Sequence, residues 1–364
     1  MQAPQRVWKL RTRSLALERV LVMAILNATP DSFSDGGRFL RPGANGADID
    51  LNAVEDVAAL TGSADVDLLE RAVLVLCADN GVVRRGVTQT GSGVTAAVAR
   101  NLALGRTSVC RMAEVAHCRV VPVDMGIADF AGCEGVLDRR VGNGTADFTD
   151  GPAMTREQAE RAILIGAELA RDEAARGTQL LALGEMGIGN TTTASAVASV
   201  LLGRSVQDVT GRGAGLSDEA LERKIKVIRR GVSTNLPAAH DPLDVLAKVG
   251  GFDLAGLCGV CLGAAYCRVP VLLDGFPSAV AALCAARLCP AAAGAMLASH
   301  VSAEPAGALV LKALGKRPLI TAELRLGEGT GAVAAMPLLD MALAVYRDAY
   351  TFAEGGIEPY TPQC

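Results

Sequence analysis

Four short apolar runs, each closing on an acid or a glycine, constrain the fold of this chain more than any other feature. They are residues 72–78 before Asp79-Asn80-Gly81, 119–123 before Asp124-Met125-Gly126, 179–183 before Gly184-Glu185, and 269–273 before Asp274-Gly275. Runs that are apolar throughout, without alternation, suit strands buried on both faces of a parallel sheet. Long stretches with helical pattern separate them, over 155–176, 218–231, 254–266 and 338–349. This strand-then-helix rhythm predicts an α/β fold, an open parallel sheet in three layers. Ligands of such folds bind beyond the carboxyl ends of the strands. Asp79, Asp124, Glu185 and Asp274 are therefore expected to frame one crevice, although each could instead cap the helix that follows it.

Composition narrows the reading. A chain of 364 residues forms one large α/β unit or two domains. Half of it is hydrophobic but only 3% is aromatic, so Ala, Val, Leu and Gly must build the interior. Net charge is −4 and there is no basic block, which argues against nucleic acid as a partner. The ten cysteines lie mostly in apolar stretches. The Cys258/Cys261 pair has no second pair to complete a metal site, so core packing in a reducing cytoplasm is the better reading. Residues 20–26 form a short apolar run next to Glu18 and Arg19, more like a buried strand than a signal peptide. No apolar span is long enough to predict a membrane helix. Residues 27–50 are turn-rich, and a domain boundary is expected near residue 50, giving segments 1–50 and 51–364.

Two glycine-flanked acids carry the chemistry. Residues 323–332 read ELRLGEGTGA, placing Glu328 between Gly327 and Gly329 just ahead of a helix over 333–339. Residues 184–192 read GEMGIGNTT, placing Glu185 ahead of another helix. Gly187, Ile188, Gly189, Asn190 and Thr191 put small residues at that helix N-terminus, where free N–H groups and hydroxyls outline a phosphate site. An ordinary capped helix is the alternative. Residues 210–218, TGRGAGLSD, form a third glycine-rich loop, with Gly211 and Gly213 able to approach phosphate or ribose. It is neither a Walker loop nor a dinucleotide fingerprint. Lys224 lies one to two turns into the helix beyond it. The segment SHVSAE at 299–304 offers Ser, His and Glu, but within six residues these rarely converge, and no nucleophile elbow exists. His300 is therefore expected to play a structural, hydrogen-bonding part.

In order, the blocks ADNGV (78–82), GEMGIGNTT (184–192), TGRGAGL (210–216), GGFDLAGLCG (250–259), PVLLDGF (270–276), SHVSAE (299–304) and RLGEGTGA (325–332) resemble one family closely. It is the nicotinate-nucleotide–dimethylbenzimidazole phosphoribosyltransferases, and the resemblance spans roughly residues 54–352. It implies a Rossmann-like domain with a smaller helical part, a cytoplasmic homodimer and no cofactor or metal. The reaction implied is transfer of phosphoribose from nicotinate mononucleotide to a benzimidazole nitrogen, inverting C1′ to the α-anomer for the lower ligand of cobalamin. Glu328 matches the catalytic base and Glu185 the second acid near the acceptor. Gly187 to Thr191, Gly211, Gly213 and Lys224 fall on the phosphate and ribose side. Asn80, Thr88, Thr90 and Leu326 fall on the acceptor side.

The chain departs from the family in two places. Asn80 stands where a histidine is usual, and the segment from Gly86 to Thr90 lacks the usual serine and tyrosine. A pocket without that aromatic is open to another acceptor, such as adenine or a different benzimidazole. The usual N-terminal Lys-Pro-x-Gly-Ser-Leu-Gly segment is absent. Residues 23–39, MAILNATPDSFSDGGRF, instead look like the first strand and loop of dihydropteroate synthase. A barrel of that type needs about 250 residues, so this fragment is expected to add no second activity. A catalytically weak, base-binding paralogue is the competing reading, and retention of both Glu185 and Glu328 favours the enzyme.

Overall fold

The structure is a computed structural model that describes residues 6–9, 14–17, 49–348 and 356. The apolar run at 20–26 and the dihydropteroate-synthase-like stretch at 23–39 fall outside these residues. The described chain divides into two compact units, Leu69–Ala335 and a second one combining Met1–Leu68 with Met336–Cys364.

The larger unit is built on a seven-stranded sheet, every neighbouring pair of which is parallel. Numbered along the whole chain after the two short strands β1 (Arg6–Lys9) and β2 (Ser14–Leu17), its strands are β3 (Arg71–Ala78), β4 (Cys118–Gly126), β5 (Leu137–Asp138), β6 (Leu180–Met186), β7 (Val271–Leu273), β8 (Met296–His300) and β9 (Pro318–Ile320). Their spatial order is β5-β4-β3-β6-β7-β8-β9. The chain thus winds outward from β3 in one direction and returns to wind outward from β6 in the other. The topological switch lies between β3 and β6, where an open α/β sheet has its natural crevice.

All four apolar runs became strands of this sheet. The run at 72–78 is buried along its whole length, as a central parallel strand requires. The sequence showed β8 only as the apolar approach to a polar cluster, and β5 and β9 not at all. With two residues in β5 and three in β9, neither is long enough to register as a run.

Helices cover the sheet. Those expected from pattern are α4 (Arg156–Ala175), α7 (Asp218–Asn235) and α9 (Phe252–Cys267). The first starts on a capping box, in which Thr155 Oγ1 accepts from the Gln158 N–H while Gln158 accepts from the Thr155 N–H. Ser217 caps the second by accepting from the Ala220 N–H. The third is buried nearly all round and packs tightly on α4. A side chain at Gly259 would come within 1.9 Å of the Ile163 carbonyl oxygen, so the two helix backbones touch. Further helices are α2 (Gly93–Ala103), α3 (Ser108–Val115), α5 (Asn190–Leu202), α6 (Val206–Val209), α8 (Pro242–Val249), α10 (Phe276–Leu288) and α11 (Gly307–Leu314).

Cys258, Cys261 and Cys284 are free and wholly buried in the core of this unit. Burial pushes the Cys261 and Cys284 thiols up to about 12, so they act as small apolar groups.

The smaller unit contains α1 (Ile49–Thr61) and most of α12 (Thr330–Asp348). Within it Val54, Val57, Ala58, Leu339, Ala342 and Tyr346 are buried, and Arg347 donates to the Val66 carbonyl oxygen. No helix among the described residues is long and apolar enough to cross a membrane.

Candidate active site

The carboxyl ends of β6, β7 and β8 open into a cleft of about 550 Å³, and both glycine-flanked acids line it. Gly184, the residue before Glu185, makes their meeting possible. A Cβ at Gly184 would lie 2.6 Å from the Glu328 carbonyl oxygen. Only the missing side chain lets the 327–331 loop lie directly on β6. Glu185 Oε1 is then 3.3 Å from the position a Cβ would take on Gly327.

Glu328 sits on unusual backbone. Gly327, Glu328 and Gly329 have φ of 74°, 61° and 91° in succession. Such angles are rare for a residue with a side chain and collect at functional sites. Asp274, at the end of β7, holds this loop in place. Its Oδ2 accepts from the Gly329 N–H at 3.1 Å, and its Oδ1 from the N–H groups of Gly331 and Ala332 at 2.8 and 3.1 Å. The aspartate thus satisfies free donors at the start of α12. His300, at the end of β8, packs behind the loop, with Nδ1 3.0 Å from Ser299 Oγ. Ser299 donates its own proton to the Leu273 carbonyl oxygen. The histidine is thereby a buried, bonded residue of the site floor, as its neighbours in the sequence suggested.

The two acids differ in surroundings. Glu185 accepts from the Asn190 side-chain amide. Burial, then the charges of Asp253 and Asp274, and also that of Glu328, hold its carboxyl well above the usual range. Glu328 is also raised, first by burial and then by Asp274, while the nearby Thr107 hydroxyl and Val109 N–H pull it back. Its Oε2 is buried without a hydrogen-bond partner. Both carboxyls are thus raised, and Glu185, wholly enclosed among other acids, is raised the more strongly.

Beside the acids lies a cradle of donors. Gly187, Ile188, Asn190 and Thr191 line the cleft at the start of α5, as do Gly211 and Gly213 from the loop before α7. Gly189 is buried behind them, its φ of 92° turning the chain into the helix. Lys224 reaches the cradle from α7. Its ammonium is almost fully buried and donates to Thr191 Oγ1 at 2.9 Å and to the Gly211 carbonyl oxygen at 3.1 Å. Burial lowers it to about 8, with Glu304 acting in the opposite sense. Glu304 itself accepts from the Gly213 N–H at 2.9 Å.

Of the acceptor-side residues, Leu326 lines the cleft and is largely exposed. The structure does not bring the other three to the cleft wall. Asn80 is buried beneath the 187–190 turn and donates to the Ile188 carbonyl oxygen at 3.4 Å. Thr88 and Thr90 form their own turn, with Thr88 Oγ1 donating to the Thr90 carbonyl oxygen at 2.7 Å. Between them Gln89 donates to the Ala214 carbonyl oxygen at 3.1 Å and also to that of Gly215, both on the opposite glycine-rich loop.

The strand-end acids divide accordingly. Glu185 and Asp274 line the cleft. Asp79 and Asp124 are buried and hold loops. Asp79 accepts from Thr95 Oγ1 at 2.6 Å and from the Ala128 N–H at 2.9 Å. Asp124 accepts from the N–H groups of Gly126 and Ile127 and from Arg140. Sequence reading missed Asp253, a fully buried acid within α9 next to this site. A lone acid in an otherwise apolar helical stretch was the available signal.

Comparison with known proteins gives the family. Residues 51–357 match a phosphoribosyltransferase family model. The nicotinate-nucleotide–dimethylbenzimidazole phosphoribosyltransferase of Acetivibrio thermocellus is 46% identical over 317 residues, covering 86% of this chain and 90% of the relative. The enzyme of that name from Chloroflexus aggregans is 46% identical over 302 residues, covering 83% and 86%. The crystal structure of CobT from Thermus thermophilus is similar, with a TM-score of 0.82 and 39% identity, covering 92% of this chain and 98% of that one.

Proposed function

Because this chain belongs to the phosphoribosyltransferase family, we propose that it transfers the phosphoribosyl group of nicotinate mononucleotide to 5,6-dimethylbenzimidazole or a related base. The products are α-ribazole 5′-phosphate and nicotinate, which serve assembly of the cobalamin lower ligand. One observation carries this reading: Glu328 and Glu185 line one cleft together with Gly187, Asn190, Thr191, Gly211 and Gly213, and the buried Lys224 is bonded to Thr191 and Gly211 of that wall.

The chemistry needs little more. The bond from C1′ to the pyridinium nitrogen breaks, and its electron pair leaves with neutral nicotinate nitrogen, so the leaving group needs no proton. The azole nitrogen attacks the opposite face of C1′, which inverts the anomer. The N–H on the ring's other nitrogen becomes acidic as the new bond forms, and a carboxylate within about 3 Å takes that proton. Glu328 is the better base because Glu185 is held further toward its neutral form. A carboxylate here also stabilises the positive charge that develops on the sugar, as in glycoside hydrolysis. The 5′-phosphate lies against residues 187–191 and toward the ammonium of Lys224, with the Ile188 and Asn190 N–H groups already bonded to Thr95 Oγ1 and the Gly187 carbonyl oxygen, and the ribose lies toward Gly211 and Gly213. Leu326 lies against the acceptor base. Asn80, Thr88 and Thr90 act from behind the wall, through the turns they hold.

The stretch at 23–39 lies outside the residues matched by the family model, and we assign no activity to it. We also place the protein in the cytoplasm as a homodimer. Its free, buried cysteines suit a reducing compartment, and exposed apolar side chains such as Val115, Leu236 and Tyr266 suit burial against a second copy.

Chromatography of nicotinate mononucleotide incubated with a panel of benzimidazoles and purines tests the assignment, with Glu328→Gln as control. We expect one nucleotide product with the wild type, and kcat reduced by roughly 10²- to 10⁴-fold in the variant. Absence of product across the panel contradicts the activity, and near-full activity of Glu328→Gln removes the base. Pterin and p-aminobenzoate in the same assay should yield no dihydropteroate.

A further inference from the structure

Two buried oxygen atoms beneath the cleft, on a carboxyl and on the amide that faces it, have no hydrogen-bond partner. They are Asp253 Oδ2 and Asn80 Oδ1. Asp253, in the first turn of α9, is wholly buried, and Asn80, just beyond β3, is 1% exposed. A Cβ on Gly251 would lie 2.4 Å from Asp253 Oδ1 and 2.6 Å from Asn80 Oδ1. A Cβ on Gly187 would lie 2.9 Å from Asp253 Oδ2 and 3.3 Å from Asn80 Nδ2. The carboxyl and the amide therefore face one another across these glycines.

The remaining polar atoms are already engaged. Asp253 Oδ1 accepts from the Leu254 N–H at 2.9 Å. Asn80 Nδ2 donates to the Ile188 carbonyl oxygen, which turns its Oδ1 away from that carbonyl. An ionised carboxylate here would set two acceptors against each other in a dry interior, a costly arrangement. The groups that face it offer no countercharge. They are Asp79, Cys77 and Asn80 from the end of β3, Glu185 from β6, and Asn190 from α5. A proton on the carboxyl relieves this, because its O–H donates to Asn80 Oδ1 while Oδ2 stays on the side of Asn80 Nδ2.

We infer that Asp253 is a positioning residue of the reaction: a neutral carboxylic acid whose O–H donates to Asn80 Oδ1, fixing the 187–190 turn so that Asn190 presents its amide to Glu185. Burial, opposed by the Leu254 N–H and by Asn190, raises this carboxyl to about 7. Its proton is thus held below neutral pH and lost as pH rises through about 7. Asn190 lies between the two acids, donating to Glu185 and also facing Asp253. Loss of the proton places a second negative charge beside Glu185 and leaves Asn80 Oδ1 unpaired, which loosens the turn. The catalytic consequence rests on the assignment of Glu185 to the reaction, whereas the proton itself does not.

Infrared difference spectroscopy of the full chain reads the proton directly. We expect a protonated-carboxyl C=O band at pH 6 that fades as pH is raised through 7 to 8. It should shift when the protein is labelled with carboxyl-¹³C aspartate, which separates it from Glu185 and Glu328, and vanish in Asp253→Asn. Absence of any aspartate-derived band at neutral pH overturns the inference even in unmodified protein. Turnover at saturating nucleotide supplies the second readout. Asp253→Ala should lose kcat by about tenfold or more, and Asp253→Asn, whose amide can still donate to Asn80, should recover most of it without the wild type's decline above neutral pH. Equal loss in both variants, or an unchanged pH profile in Asp253→Asn, contradicts the positioning role. If the infrared band is present while the kinetic arm fails, the fault lies in the role given to Glu185.

Discussion

Lys224 shows how much one residue of this site depends on its surroundings. In the sequence it is a basic residue one to two turns into a helix, with nothing to set it apart from Lys226 nearby. In the structure it is 1% exposed and fastened to Thr191 and Gly211. The charge of Glu304 opposes its burial, and the proposed 5′-phosphate would add a second anion. The lysine's lowered value, about 8, fixes the sign of a pH effect. The free enzyme loses the charge as pH rises through about 8, so kcat/KM for the nucleotide should fall above that pH while kcat holds, because bound phosphate keeps the lysine charged. Lys224→Met should cost roughly 10- to 100-fold in KM, as expected for a charge-assisted hydrogen bond, and should flatten the alkaline fall. Initial-rate measurements across pH 6–10 check both points. Stability should respond in the opposite sense, since the unfolded lysine binds a proton that the folded one has released between about 8 and 10.5. Glu328, by contrast, was legible from its flanking glycines alone, whose positive φ angles the structure confirms.

At the scale of elements, the central strands and the long helices were readable because they are long and one-sided in pattern. β3 is apolar from end to end since both its faces are covered, and α4 announces its start with a capping box. The outer strand β9 was not readable: three residues, one of them proline, carry no periodicity. Nor could the sequence show that Asp274 fastens the loop of Glu328, because that bond joins residues 55 positions apart. The start of α12 is the tightest such junction. A Cβ on Gly331 would lie 2.1 Å from two ring atoms of His300 and 2.9 Å from Asp274 Oδ1. Gly331→Ala should therefore destabilise the protein by about 1–3 kcal/mol and lower kcat as well, since the same loop carries Glu328. Denaturant unfolding alongside turnover tests this, and a variant of wild-type stability would show that the junction yields more easily than its packing suggests.

At the scale of the molecule, the doubly wound sheet explains why residues from so many parts of the chain meet. Glu185, Asp274 and His300 stand at the ends of β6, β7 and β8, which are neighbours in the sheet order. Asn80 and Asp253 lie buried beneath the site, near the switch between β3 and β6. The rhythm of runs and helices foretold this arrangement, but the direction in which each acid points could not be read from it. Two of the four strand-end acids, Asp79 and Asp124, turned out to hold loops away from the cleft, and only packing decides which. Light scattering should report a dimer, and a monomer at micromolar concentration would remove the homodimer from this reading. The most direct test of phosphoribosyl transfer is to incubate the full chain with nicotinate mononucleotide and 5,6-dimethylbenzimidazole and to follow both products by NMR. We expect nicotinate and ribazole phosphate in equal amounts, with C1′ inverted to the α-anomer. Nicotinate release that does not require the acceptor base, or a β-linked product, would contradict it.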